Sequence, residues 1–120
     1  MTVTINELIE KIKNQPGNVN FTEVIETIEN TYHYSPKRFS NGTGNNAIIN
    51  EAGTNEGSCK IFAFAKLHKL DKKQTLACFG KYYRDDVLSH PDNTDHANIR
   101  NFMNYGWEGI TVEGEALAIR

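Results

Sequence analysis

The 120-residue chain lacks the marks of several protein classes. No apolar run approaches the roughly 20 residues that span a bilayer, and no basic stretch followed by an apolar one opens the chain, so neither a membrane helix nor a secretory leader is expected. Cysteine is scarce. Cys59 and Cys78 stand alone, and without an export signal they are expected as free thiols. Charge of one sign is also missing. A net charge of −2 and a pI near 6.1 give no pull towards nucleic acid or anionic membrane, and the short pairs Lys37-Arg38 and Lys72-Lys73 do not change that. No internal repeat and no low-complexity segment interrupts the chain, and a chain of this size buries about two-thirds of its unfolded surface. One domain over residues 1–120 is therefore expected.

Helical periodicity is abundant. Thr4 and Glu7 form a capping box ahead of Ile5, Leu8, Ile9 and Ile12, which predicts a helix over 5–13 that Asn14-Gln15-Pro16-Gly17 ends. Asn20 and Glu23 repeat the box, with Phe21, Val24, Ile25, Ile28 and Tyr32 on one face and Glu23, Glu26 and Glu29 on a solvated one. Ser35-Pro36 then breaks the chain into a long loop over 34–55, where Phe39 pins the loop to the core and residues 47–49 form a short extended piece. A buried central helix follows, carrying Ile61, Phe62, Phe64, Ala65 and Leu67, with Ser58 or Asn55 as its cap. Asp71 and Gln74 predict a fourth helix over 72–88, with Gly80 allowing close contact to Ala63 or Ala65. After a turn at His90-Pro91-Asp92-Asn93, Asp95 caps a last helix over 96–105 that Gly106 closes. The expected fold is all-α: about five helices in one compact domain, with a small hairpin between residues 47–49 and 110–112 as an option.

Four phrases carry a family resemblance: YHYSPKRFSNG (Tyr32–Gly42), NEGSCKIFAFAKLH (Asn55–His68), TLACFGKYYRDDVLSHP (Thr75–Pro91) and DHANIRNFMNYGWEGI (Asp95–Ile110). Together they closely resemble the HopJ family of type III effector proteins. The resemblance implies a protein delivered through a type III secretion system, and it carries over no catalytic residues. The residues themselves point to a cytoplasmic protein, because the chain turns helical at Ile5 and holds no serine before Ser35. Secretion through a type III system is the alternative.

The chemistry-bearing residues support several readings. A thiol in the first turn of the central helix would be favoured as thiolate, so Cys59 as nucleophile, His96 as base and Asn98 or Asp95 as orienter would make a thiol-dependent hydrolase or acyltransferase. The plain alternative is that Cys59 is a small buried hydrophobe. A structural zinc site could draw on Cys59, Cys78, His90 and His96, but no C-x-x-C or H-x-x-x-H pair supplies a half-site, and neither metal nor cofactor is expected. The third reading is a recognition surface for a protein or a small molecule. Arg84, Arg100, Trp107 and the tyrosines 82, 83 and 105 are the residue types that dominate binding. The surface expected joins the loop of Asn41, Gly42, Asn55 and Glu56 to the turn from His90 to Asn98. A binding or interaction module is the favoured function.

Overall fold

The computed structural model describes residues 4–120. Its helices are α1 (Ile5–Asn14), α2 (Phe21–Thr31), α3 (Glu56–Leu67), α4 (Lys72–Ala77) and α5 (Ala97–Tyr105), and its strands are β1 (Tyr32–Tyr34), β2 (Phe39–Asn41), β3 (Ile48–Asn50), β4 (Ile110–Val112) and β5 (Leu117–Ile119). The fold is therefore mixed α/β, with two antiparallel sheets, and the all-α expectation is corrected. One sheet pairs β1 with β5; the other runs β3–β2–β4. The extended pieces expected near residues 48 and 111 do exist, but they do not pair with each other. Both flank β2, with Asn41 opposite Ile48 on one side and Ile110 on the other. Each strand is three residues long, too short for alternation to announce it, and apart from the local β2–β3 pair the partners come from the far end of the chain, β5 for β1 and β4 for β2.

The first two helices follow their caps. Thr4 Oγ1 accepts the Glu7 N–H at 3.1 Å, and Asn20 with Glu23 makes a complete box ahead of α2. Lys11 reaches across to the Glu23 carboxylate at 2.9 Å and ties α1 to α2. On α3, Phe62 is fully buried, and the rings of Phe39, Phe79, Phe102 and Trp107 lie around it with centroids 5.0 to 6.3 Å away. Leu8, Ile12, Val24 and Ile28 complete this core from the α1 and α2 side.

The helix expected over 72–88 is broken. After α4 the chain turns at Gly80, with φ at +59°, and resumes as a π-helical segment, Tyr82–Val87. A Cβ at Gly80 would lie 2.7 Å from the Phe21 nitrogen. The close approach expected at this glycine is thus real, but its partner is the start of α2 rather than Ala63 or Ala65. The left-handed turn and the backbone contact both demand glycine here. By bringing the start of α2 against the π-helical segment, Gly80 also sets Phe21 beside Tyr82, edge-on at 5.2 Å.

Candidate functional site

A cleft of about 380 Å³ opens where α3 and α5 begin. Gly57 and Ser58 of α3 and Ala97 and Asn98 of α5 form one side, and Phe21, Phe79 and Tyr82 form the aromatic side. Ile48 of β3 and Ile99 close it with apolar surface. Two residues at its border hold left-handed backbone without being glycine: Asn55, the cap of α3, with φ at 48°, and His96, the cap of α5, with φ at 51°. Neither supplies a side-chain cap to its helix. The cap expected at Asp95 therefore lies one residue off: Asp95 instead accepts from Arg100 Nη2 at 2.7 Å. That hydrogen bond, ahead of the charge itself, holds the Asp95 carboxyl below its ordinary range.

His96 is oriented from behind. Its Nε2 lies 3.0 Å from Asp86 Oδ2 on the π-helical segment, and its ring leans on Tyr82 with centroids 5.3 Å apart. An ionised carboxylate only accepts, so the Asp86 bond, with Asp95 Oδ2 at 3.8 Å beside it, places a proton on Nε2, and in the neutral ring Nδ1 is then the acceptor. Among the described residues neither Nδ1 nor the Ser58 hydroxyl has a hydrogen-bond partner.

Behind the cleft lies a network of asparagine amides. Asn98 Nδ2 donates to Asn50 Oδ1 at 2.9 Å, while Asn98 Oδ1 accepts from Asn50 and Asn41, both at 3.1 Å. Asn55 Nδ2 donates to the same Asn50 oxygen at 2.7 Å, which links the cap of α3 to β3. Asn101 Nδ2 binds the carbonyls of Asn41 and Asn46 and so holds the loop after β2 against α5. Asn41, Asn50 and Asn98 are all buried. These amides join β2, β3, α3 and α5 at one point, and a buried amide is stable there only because its neighbours meet most of its bonds. One group in the network, Asn41 Oδ1, is buried with no partner among the described residues.

The residues singled out from the sequence fall into distinct environments. Asn55, Asn98 and His96 do line one cleft, at the junction of the loop and the turn. Cys59 does not line it. Its side of α3 faces the core, it is 1% exposed, and its thiol makes a long contact of 3.9 Å to the Lys37 carbonyl. The Cys59 N–H already bonds the Asn55 carbonyl, so it is not one of the free donors that would favour a thiolate. No hydrogen bond joins Cys59 to a histidine among the described residues, and Asn98 spends its amide on Asn41 and Asn50 rather than on His96. Cys78 is also buried, which pushes its thiol up to about 12. Among the described residues no three His, Cys, Asp or Glu side chains converge as a metal site would require.

The expected recognition residues are largely spent inside the fold. Arg84 donates to the carbonyls of Pro16 and Val19 at 3.1 and 2.7 Å and fastens the α1–α2 connection. Arg100 braces the turn through Asp95 and the Pro91 carbonyl. Trp107 donates to the Leu70 carbonyl at 3.0 Å and packs on Phe62 and Phe102. Gly42 abuts Asn101, Glu56 is half-buried in the first turn of α3, and His90 is exposed in the turn. The sequence reading missed Phe21, Ser58 and Phe79 as cleft residues, and Asp86 as the partner of His96. The fourteen asparagines of the chain were the one compositional signal for the amide network.

The architecture defines a small α/β protein with a ligand-sized cleft at two helix starts. The chain belongs to the HopJ type III effector protein family, which matches residues 5–117. It is similar to a solved crystal structure described as the unknown function protein VPA0580, at 46% identity and a TM-score of 0.94, over 100% of this chain and 97% of that one. No curated protein matches. No helix among the described residues is long and apolar enough to cross a membrane.

Proposed function

We propose that the protein is a binding module that receives a small molecule in the cleft between the 41–56 loop and the 90–98 turn. One observation carries the reading: an aromatic-walled concavity, within the size range of small-ligand sites, is lined by Ser58 and His96, whose hydroxyl and Nδ1 have no hydrogen-bond partner among the described residues. Among the described residues no lysine or arginine lines it, which suits a small molecule better than a polyphosphate or a nucleic acid. A cytoplasmic setting goes with this reading, because both thiols are free and buried as in a reducing compartment. Delivery through a type III system is the alternative that the family description raises.

The test is a fragment screen by amide NMR on the full chain, with Ala97→Phe as a plug, since Ala97 is exposed at the cleft and the ring need not enter the core. Hits are expected to shift Gly57, Ser58, Ala97 and Asn98 together and to bind the plugged protein about tenfold more weakly, the effect of losing one well-packed contact surface. A library that leaves those amides unmoved, or hits indifferent to the plug, would overturn the reading.

A further inference from the structure

The cleft walls and their polar groups narrow the ligand class, and this narrowing rests on the binding reading above. Three rings follow one another along one wall: Phe21 stands edge-on to Tyr82 at 5.2 Å and 76°, and Tyr82 tilts against His96 at 5.3 Å and 40°. Phe79 lines the same cleft. These spacings are the ordinary ones for interacting aromatic rings, and a flat ring placed in the cleft extends the series at the same distances. Gly57 keeps Phe21 close to α3, because a Cβ there would lie 2.8 Å from Phe21 Cζ.

The volume sets a scale. An apolar cavity of about 150 Å³ accepts benzene. A cleft of about 380 Å³ that is open on one side suits a molecule of one or two rings. The polar groups set the edge chemistry. In its neutral form, with the proton held on Nε2 by Asp86, His96 offers an acceptor at Nδ1 to a ligand N–H or O–H. Ser58 offers a hydroxyl whose proton can be donated to an acceptor beside the ligand's own donor. Among the described residues no Asp, Glu, Lys or Arg lines the cleft, and any charge on His96 is already met by Asp86 at 3.0 Å, so no side chain there is left to balance a charged ligand.

We infer that the cleft binds a flat, uncharged aromatic molecule of one or two rings that carries a hydrogen-bond donor and an acceptor side by side, as an aryl amide or a heteroaromatic lactam does. His96 selects the donor, and the Phe21–Tyr82–His96 wall selects the ring.

Three probes separate these terms: benzamide, cyclohexanecarboxamide, which keeps the amide and loses the aromatic ring, and benzoate, which keeps the ring and trades the donor for a charge. Each is titrated at millimolar concentration into the full chain and followed through the amides of Gly57, Ser58, Ala97 and Asn98. Benzamide is expected to shift all four saturably. Cyclohexanecarboxamide is expected to bind about fivefold more weakly, the usual worth of an aromatic contact beyond its area. Benzoate is expected to be weaker by a similar factor, and His96→Asn, which tolerates the left-handed backbone, is expected to lower benzamide affinity about fivefold. Equal binding of cyclohexanecarboxamide would remove the aromatic selection. Equal or tighter binding of benzoate would mean that the helix starts choose the ligand rather than the imidazole. Unchanged benzamide affinity in His96→Asn would remove the role given to Nδ1. Silence of all three probes at the cleft, while other fragments still bind there, overturns this inference and leaves the binding reading standing. A cleft that no fragment enters overturns both.

Discussion

The starts of α2 and α4 differ from the starts of α3 and α5 in how their first N–H groups are met. Asn20 and Asp71 each accept the N–H of the residue three positions on, and Glu23 and Gln74 return a bond to the cap's own backbone. Both boxes are satisfied within the chain. Asn55 and His96 instead turn left-handed and give their side chains elsewhere: Asn55 to Asn50 in the amide network, His96 to Asp86. The start of α2 is closed even though its first residue, Phe21, lends the cleft an aromatic ring, and the start of α4 is closed away from the cleft. The two starts that bring their first-turn backbone to the cleft, at Gly57-Ser58 and Ala97-Asn98, are open, and strained backbone held in place by surrounding bonds is a pattern that recurs at ligand sites.

If that contrast is right, the amide network is what holds the open starts together, and breaking it should give the largest effect. Asn98→Ala removes one donor and one acceptor from Asn50 and an acceptor from Asn41, in a setting where water cannot replace them all. A loss of about 2 kcal/mol is expected in urea unfolding, the usual penalty for buried polar groups left without partners. A loss below about 0.5 kcal/mol, as at an ordinary surface site, would mean that the amides sit together without holding the cleft.

A smaller effect compares the two kinds of start directly. Asn20→Ala deletes a working cap and should destabilise by about 1 kcal/mol. His96→Gly should change stability by no more than about 0.5 kcal/mol. Relief of the left-handed backbone offsets the loss of a half-exposed pair with Asp86, which is worth at most about 1 kcal/mol. Thermal or urea unfolding of both variants measures the difference. Equal losses would show that His96 supports its helix as Asn20 does, and the contrast between closed and open starts would fail.

Caps explain much of what could be read from the sequence. Thr4, Asn20 and Asp71 announced α1, α2 and α4 because capping is local: the bond partner lies three residues away in the same stretch. Asn55 was one of two candidates for α3. At α5 the same rule pointed to Asp95, because a carboxylate is the better cap by composition, and only the turn geometry moves the boundary to His96. The strands were harder. Phe39-Ser40-Asn41 has one apolar residue and looks like loop, yet it is the middle strand of a sheet whose flanking strands come from both sides of α3, α4 and α5. Gly80 was visible as an oddity within a helical pattern, but its positive φ and its contact with the start of α2 depend on the fold. The junction of the 41–56 loop with the 90–98 turn was expected from its polar density, and residues from both stretches do meet around one cleft. Of the aromatic wall, Tyr82 stood among the expected recognition residues, whereas Phe21 and Phe79 carry helical spacing suited to a core. Asp86 and His96 are ten residues apart across a turn, a spacing with no period to reveal it.

The two ends of α3 give the finest test. Its start is open at the cleft, while its far end is closed by His68, whose Nε2 lies 2.6 Å from the Tyr32 hydroxyl and whose ring packs on Phe64 with centroids 5.1 Å apart. Burial pushes the His68 imidazole below its ordinary 6.5, which agrees with a neutral ring accepting the tyrosine proton. The unfolded chain therefore takes up this proton at a higher pH than the folded one does. The contribution of His68 is whole above the unfolded value near 6.5 and is lost as pH falls from there towards the lower folded value. His68→Gln keeps a hydrogen-bond acceptor for Tyr32 and cannot titrate, so its stability should fall less than the parent's between about pH 7 and pH 5. Identical slopes would mean that the bond to Tyr32 does not depend on a neutral ring. Fragment binding at Gly57 and Ser58 should be the same in both proteins at pH 7, because the closed end of α3 is anchored to β1 and among the described residues no hydrogen bond of His68 reaches the cleft. A shift in binding without a change in the pH slope would reverse the assignment of roles, making the far end of the helix part of the ligand site.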